Sequence, residues 1–181
     1  MTCIVGLVEN GAVYIGGDSA GVSDSYLTVR ADRKVFRNSD FIMGFTSSFR
    51  MGQLLHRAFS PPQRHPDTDV EKFMVTEFVD AVRQCLKDGG YAEKHNEAER
   101  GGTFLVGYQG RLFRIDSDYQ VGEAADAFDA VGCGHAIAQG ALYANPAGRP
   151  LDRLKIALEA AERFSSGVRG PFHFETLEAG K

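Results

Sequence analysis

The apolar positions of this chain alternate between the period of a strand and that of a helix. Thr2 to Val8 (TCIVGLV) and Ala12 to Asp18 (AVYIGGD) are β-rich runs flanking Glu9-Asn10-Gly11. Asn-Gly accepts positive φ at both central positions of a tight turn, so an opening β-hairpin is predicted. Strand-like runs follow at Ser25 to Arg30, Lys34 to Arg37 and, after the Asn38-Ser39 turn, Asp40 to Thr46. From Ser48 to about Phe59 the repeat becomes helical. Met51, Leu54, Leu55 and Ala58 fall on one stripe, and Pro61-Pro62 ends it. A second helix is predicted to start near Thr68. There Thr68 and Glu71 have capping-box spacing ahead of Val70, Phe73, Met74, Phe78, Val82 and Leu86.

Asp88 to Gly102 is polar and glycine-rich and reads as an exposed loop, not a domain boundary. Strand signals return at Thr103 to Tyr108, Leu112 to Asp116 and Phe128 to Gly132, the first two joined by a Gln109-Gly110 turn. Helical spacing resumes from Gly134 to about Ala144 and from Pro150 to Phe164, before a last strand at Phe172 to Leu177. No internal repeat interrupts this order, and residues 1–181 read as a single domain. Helix pairs placed between sheet-forming runs predict an α+β fold. They fit two sheets packed face to face with helices outside, or helices on one face of a single sheet.

Composition narrows the class. A hydrophobic share of 43% and a charged share of 24% are those of an ordinary globular domain. The net charge of -4 is scattered without a basic block, which argues against nucleic acid as a partner. Cys3, Cys85 and Cys133 are odd in number and widely spaced, fitting free thiols in a reducing compartment. With no signal-peptide pattern and no apolar run of membrane length, a cytoplasmic location is expected. His56, His65, His95, His135 and His173 lack metal-ligand spacing. No phosphate loop of the GxxxxGK[ST] type occurs. No intrinsic cofactor or metal is therefore expected, and any ATP dependence would belong to a partner.

Chemistry concentrates at the start of the chain: Thr2 directly follows Met1, Asp18 closes Gly16-Gly17-Asp18, and Lys34 sits in Arg33-Lys34-Val35. Taken singly, Asp18 reads as a turn-former and Lys34 as a solvated charge at a strand end. Jointly they resemble the N-terminal nucleophile peptidases of the HslV and proteasome β-subunit family. In that family a mature N-terminal Thr is followed by an Asp in a GD motif and a Lys in a KV motif at the same offsets. Gly44-Phe45 resembles the family's AGF segment and Gly132-Cys133-Gly134 its IGSG segment, and the order of elements matches over most of the chain.

The resemblance implies a four-layer α/β/β/α sandwich of two antiparallel sheets flanked by helix pairs. It also implies a threonine endopeptidase whose nucleophile is Thr2 once Met1 is removed. A terminal Thr needs no histidine, because its own α-amine, with a pKa of about 7.7 to 8.0, can act as base. Lys34 would favour the deprotonated hydroxyl and amine, Asp18 would hold Lys34, and the Gly44 N–H would donate to the oxyanion. Cys133 stands where the family usually has a serine near the α-amine, and a thiol donates hydrogen bonds less well. Ser166-Gly167 resembles the family's Ser-Gly near the nucleophile, but Arg163 stands where an Asp would be expected. Cys3, facing away from Thr2, is expected in the core. Relatives form ring-shaped homo-oligomers, in places stacked, fed by an AAA+ unfoldase, which implies the same partners and a polypeptide substrate here. A proteasome-like assembly protein without activity, and an N-terminal nucleophile amidase acting on a small molecule, are the alternatives.

Overall fold

The computed structural model describes residues 1–95 and 98–179. The chain opens with β1 (Cys3–Glu9) and β2 (Ala12–Gly17). Asn10 and Gly11 turn between them at φ 51° and 75°, the primed geometry that the right-handed twist of a hairpin requires. β3 (Ala20–Ser23) and β4 (Tyr26–Val29) form a small separate hairpin, followed by β5 (Val35–Asn38) and β6 (Phe41–Phe45). Helix α1 (Phe49–Arg57) is capped by the Ser48 side chain, which accepts from the Arg50 N–H. Next, α2 (Val70–Phe73) passes through a π-helical turn (Met74–Phe78) into α3 (Val79–Asp88). β7 (Glu93–His95) pairs with β8 (Ala98–Arg100), β9 (Phe104–Tyr108) with β10 (Arg111–Ile115), and β11 (Val121–Glu123) and β12 (Phe128–Gly132) follow. Helices α4 (His135–Ala144) and α5 (Pro150–Phe164) precede the last strand, β13 (His173–Leu177).

Two antiparallel sheets dominate, one in the order β12-β1-β2-β13 and the other β11-β10-β9-β6-β5. Three apolar clusters show how they are layered. Ile4, Val13 and Ile15 of the first sheet meet Val35, Ile42 and Leu105 of the second in a core between the sheets. Outside the first sheet, Cys3, Val5 and Leu7 pack on Ala138, Leu154, Leu158 and Ala161 of α4 and α5. Outside the second, Met43, Phe104 and Phe113 pack on Leu54, Leu55, Phe73, Phe78 and Val82 of the other helices. The strands therefore bury both faces, which decides between the two readings of the element order: this is an α/β/β/α sandwich.

The differences from expectation are local. The capping-box reading at Thr68 shifts by one residue, because Asp69 accepts from the Lys72 N–H and caps α2. The second helix is not uniformly α-helical. Its wider π turn lets Phe73, Met74 and Phe78 all reach zero exposure. The segment read as a loop from Asp88 to Gly102 contains the β7–β8 hairpin, while Asn96, Glu97 and the His95 side chain lie outside the described residues. β3 and β11 escape a reading by apolar pattern because their residues are small, polar or exposed. Among the described residues no helix is long and apolar enough to cross a membrane.

Candidate active site

Thr2 lies one residue before β1, Asp18 one residue after β2, and Lys34 one residue before β5. The ends of strands from both sheets thus converge on one point. All three are buried, with Thr2 at 4%, Lys34 at 1% and Asp18 at 0% exposure. Lys34 Nζ donates to Thr2 Oγ1 at 2.8 Å and to Asp18 Oδ1 at 2.8 Å. Asp18 has no idle oxygen. Its Oδ1 also accepts from the Cys3 N–H at 3.0 Å, and its Oδ2 accepts from the N–H groups of Ala20 at 2.9 Å and Arg169 at 3.2 Å. Arg169 brings in the chain after α5, which Ser19 ties down through its N–H to the Arg169 carbonyl and its hydroxyl to the Pro171 carbonyl. A carboxylate this saturated is fixed in position and orients the lysine in turn.

Burial lowers the Lys34 pKa from the usual lysine value, and the charge and hydrogen bond of Asp18 oppose that shift. The ammonium is thus held beside the Thr2 hydroxyl by one specific partner in a buried site. Thr2 Oγ1 also donates to the carbonyl oxygen of Met1, so the hydroxyl sits against the peptide bond that joins the two residues. Cys3 is core, as expected, and burial pushes its thiol pKa far above the ordinary range.

On the other side of Thr2, its N–H donates to Cys133 Sγ at 3.4 Å, and Cys133 Sγ donates to the Thr2 carbonyl at 3.5 Å. Gly132 makes this approach feasible. Its φ is 97°, and a Cβ there would lie 2.2 Å from the Thr2 oxygen. The thiol is exposed and also touches the hydroxyl of Ser165 at 3.4 Å. Ser165, the residue that closes α5, is thus the serine at the site. Ser166 is exposed and makes no hydrogen bond to the cluster, because the chain has already turned away one residue later. Arg163 carries its guanidinium toward Phe164, not toward Thr2.

Gly44 is placed differently from the sequence reading. Its missing Cβ points into the core between the sheets, where it would lie 2.5 Å from Ile4 Cγ2 and 2.9 Å from Ile15 Cγ2. Phe45 N–H donates toward β5 and Thr46 N–H toward the Thr103 carbonyl beyond β9, so by strand alternation the Gly44 N–H faces its β9 partner Leu105. It is a packing glycine. The cleft at Thr2 is lined instead by Val22, Lys34, Phe45, Thr46, Ser47, Ser48 and Phe49 together with Met1, and with Met1 in place its volume is about 60 Å³. Ser47 adopts φ 63°, a left-handed conformation rare for a side-chain-bearing residue, and its N–H has no acceptor among the described residues. Such a backbone outlier is visible only in the structure. Among the described residues no cluster of three metal-ligating side chains is present.

No family model and no curated protein matches this sequence. Solved structures do. Over 99% of this chain and 100% of the other, the fold superposes on Thiobacillus denitrificans BPH in complex with epoxomicin, with a TM-score of 0.79 and 19% identity. It superposes on the eukaryotic HslV of Trypanosoma brucei with a TM-score of 0.68 and 18% identity, covering 98% and 99% of the two chains. For Anbu, the ancestral β-subunit, of Yersinia bercovieri the TM-score is 0.66 at 15% identity, covering 97% and 81%. The fold is that of the HslV and proteasome β-subunit family of N-terminal nucleophile hydrolases. In this fold the mouth of the sandwich, where β1, β2 and β5 converge, is where Thr2, Asp18 and Lys34 meet.

Proposed function

We propose that this chain is a threonine-type peptidase subunit that acts on polypeptides through Thr2 after Met1 has been removed. One observation carries the reading: Lys34 Nζ lies 2.8 Å from both Thr2 Oγ1 and Asp18 Oδ1, with all three residues buried. While Met1 remains, the Thr2 nitrogen is an amide and cannot accept a proton. Its release yields an α-amine beside Cys133 and next to the Thr2 hydroxyl. That amine takes the hydroxyl proton as Oγ1 attacks the peptide carbonyl, and the Lys34 ammonium stabilises the oxygen as it loses the proton. The Ser47 N–H, which lines the cleft without an acceptor among the described residues, is the oxyanion donor. Collapse of the tetrahedral species expels the amine half of the substrate, protonated by the α-amine, and leaves an ester on Thr2. Water deprotonated by the same amine then hydrolyses the ester and regenerates Thr2.

Copies of the chain are proposed to assemble in a cytoplasmic ring-shaped homo-oligomer, with an AAA+ unfoldase as the ATP-using partner. The test combines intact mass, to establish loss of Met1, with turnover of an unfolded protein and labelling by epoxomicin. The wild type is expected to be labelled and active and Thr2→Ala neither. Equal turnover by the two would end the peptidase reading. A chain that keeps Met1 and stays inactive would leave an assembly role in its place.

A further inference from the structure

Phe45 also lines a second, larger cavity of about 450 Å³. Its wall carries Arg33, Arg37, Arg57, His56, Asp32 and Glu175. It adjoins the Thr2 cleft in three ways. Phe45 belongs to both walls; Arg33 and Val35 are the chain neighbours of Lys34; and α1 places Phe49 in the cleft but Gln53 and His56 in the cavity. Helical spacing makes those last residues neighbours along one side of α1.

The charge on this wall is unbalanced. Three guanidiniums face two carboxylates, and one of these, Asp32, is already held by Arg30 at 2.6 and 2.8 Å. Arg37 donates to the Thr176 carbonyl at 2.8 Å, which leaves its charge unneutralised. Neither Arg33 nor Arg57 forms an ion pair with any described residue. His56 stacks on Phe36 at 4.4 Å and is kept toward its neutral form by burial and by Arg57. A cavity of ligand size with surplus guanidinium on its rim matches a carboxylate, which arginine binds with two parallel hydrogen bonds.

We propose that this cavity receives an acidic side chain of the polypeptide substrate, next to the scissile bond, with Arg33 and Arg57 as the partners of its carboxylate. The assignment rests on the threonine peptidase reading and adds a substrate class to it: the enzyme cuts after Asp or Glu. Measuring kcat/KM of the Met1-free protein on peptides that differ only in the residue before the scissile bond (Glu, Leu or Lys) tests it. Glu is expected to exceed Leu by about tenfold or more and Lys to be poorest, as for charge-matched pairs. The Glu advantage is expected to shrink as salt rises from roughly 0.05 to about 0.5 M. Arg33→Glu is expected to invert the Glu-to-Lys ratio, and Arg57→Gln to cut the Glu-to-Leu ratio several-fold. Because each ratio is taken within one variant, a partly folded population cancels out.

Equal or better cleavage after Leu or Lys by the wild type overturns the proposal, as do ratios that neither variant moves. An uncleaved glutamyl peptide that accelerates cleavage of the leucyl one also overturns it, by making the cavity an effector site. In all of those cases the peptidase reading survives. That reading fails if Thr2→Ala turns over peptides as well as the wild type, or if no peptide is cut and epoxomicin does not label Thr2.

Discussion

The two sides of Thr2 are built to different standards. On the hydroxyl side, Lys34 and Asp18 are buried, within 2.8 Å of each other, and Asp18 is saturated by three backbone N–H groups from separate segments. On the amine side, an exposed thiol makes contacts of 3.4 and 3.5 Å. The difference teaches where the fold has fixed geometry in advance. In the proposed mechanism the hydroxyl that loses a proton is held by a buried pair, whereas the nitrogen that would receive it meets only a weakly bonded, exposed thiol. A buried ion pair is poor evidence of stability, since desolvation offsets its attraction, but removing one member leaves a costly unpaired charge.

Breaking the rigid side is expected to have the largest effects. Lys34→Ala leaves the Asp18 carboxylate buried without its cation, which should cost roughly 3–5 kcal/mol of stability and lower Tm by about 10 °C. Denaturant or thermal unfolding checks this. Thr2→Ala removes the nucleophile without touching that pair. It should abolish turnover by a factor on the order of 10⁴ or more while the Lys34–Asp18 contact and most of the stability remain. If the two variants lost equal stability, the ion pair would not be the element that sets the hydroxyl side.

Titration separates the sides further. If the α-amine is the base it must be neutral, and the Lys34 ammonium favours that form, so activity is expected to rise through an acid limb at or below the ordinary α-amine pKa of about 7.7 to 8.0. Lys34 must be charged, and burial lowers its pKa, so the alkaline limb should fall below the ordinary lysine range. The sign for stability follows the same shift. A base with a lowered folded pKa binds fewer protons when folded than when unfolded. Its burial therefore costs stability at lower pH, and the cost is relieved as pH rises from the folded pKa toward the unfolded value of 10.5. Activity should thus decline across a window in which this residue's contribution to stability improves. A pH–rate profile measured beside a pH series of unfolding checks whether the two trends oppose each other.

The loose side should respond mildly. Cys133→Ser replaces a thiol by a better hydrogen-bond donor at the same place, between the Thr2 nitrogen, the Thr2 carbonyl and Ser165. A gain of about 1 kcal/mol, or roughly fivefold in kcat/KM, is expected, centred on the acid limb of the profile. An unchanged acid limb would show that Cys133 does not act on the amine.

How much of this was legible in the sequence depends on range. Asn10-Gly11 and Gln109-Gly110 announce their hairpins because the turn itself demands positive φ, and both pairs adopt it. Thr2, Asp18 and Lys34 are legible only as a set, since alone Thr2 carries no signal, Asp18 reads as a turn-former and Lys34 as a solvated charge; it is the packing of two sheets that brings strand ends together. Which of two adjacent serines faces Cys133 was not legible, because the last turn of α5 decides it: Ser165 N–H still bonds the Ala161 carbonyl, and Ser166 lies beyond. The backbone at Ser47 was hidden for a similar reason. Nothing in a serine announces φ 63°.

That position supplies the smallest expected effect and the sharpest contrast with Gly44. Ser47→Gly relieves a left-handed backbone worth about 1 kcal/mol. It also loses the hydroxyl that accepts from the Thr103 N–H at 3.1 Å, a bond worth about the same. Stability should therefore change by less than about 1 kcal/mol, and because the substitution keeps the N–H, turnover should persist. Gly44→Ala keeps its N–H as well but drives a methyl group against Ile4 and Ile15 in the core between the sheets, which should cost about 1–3 kcal/mol. A pair of unfolding curves decides the matter: a stable Ser47→Gly beside a weakened Gly44→Ala places the packing constraint at Gly44. If Ser47→Gly instead loses turnover while remaining stable, the hydroxyl, not the backbone N–H, is the group the cleft uses.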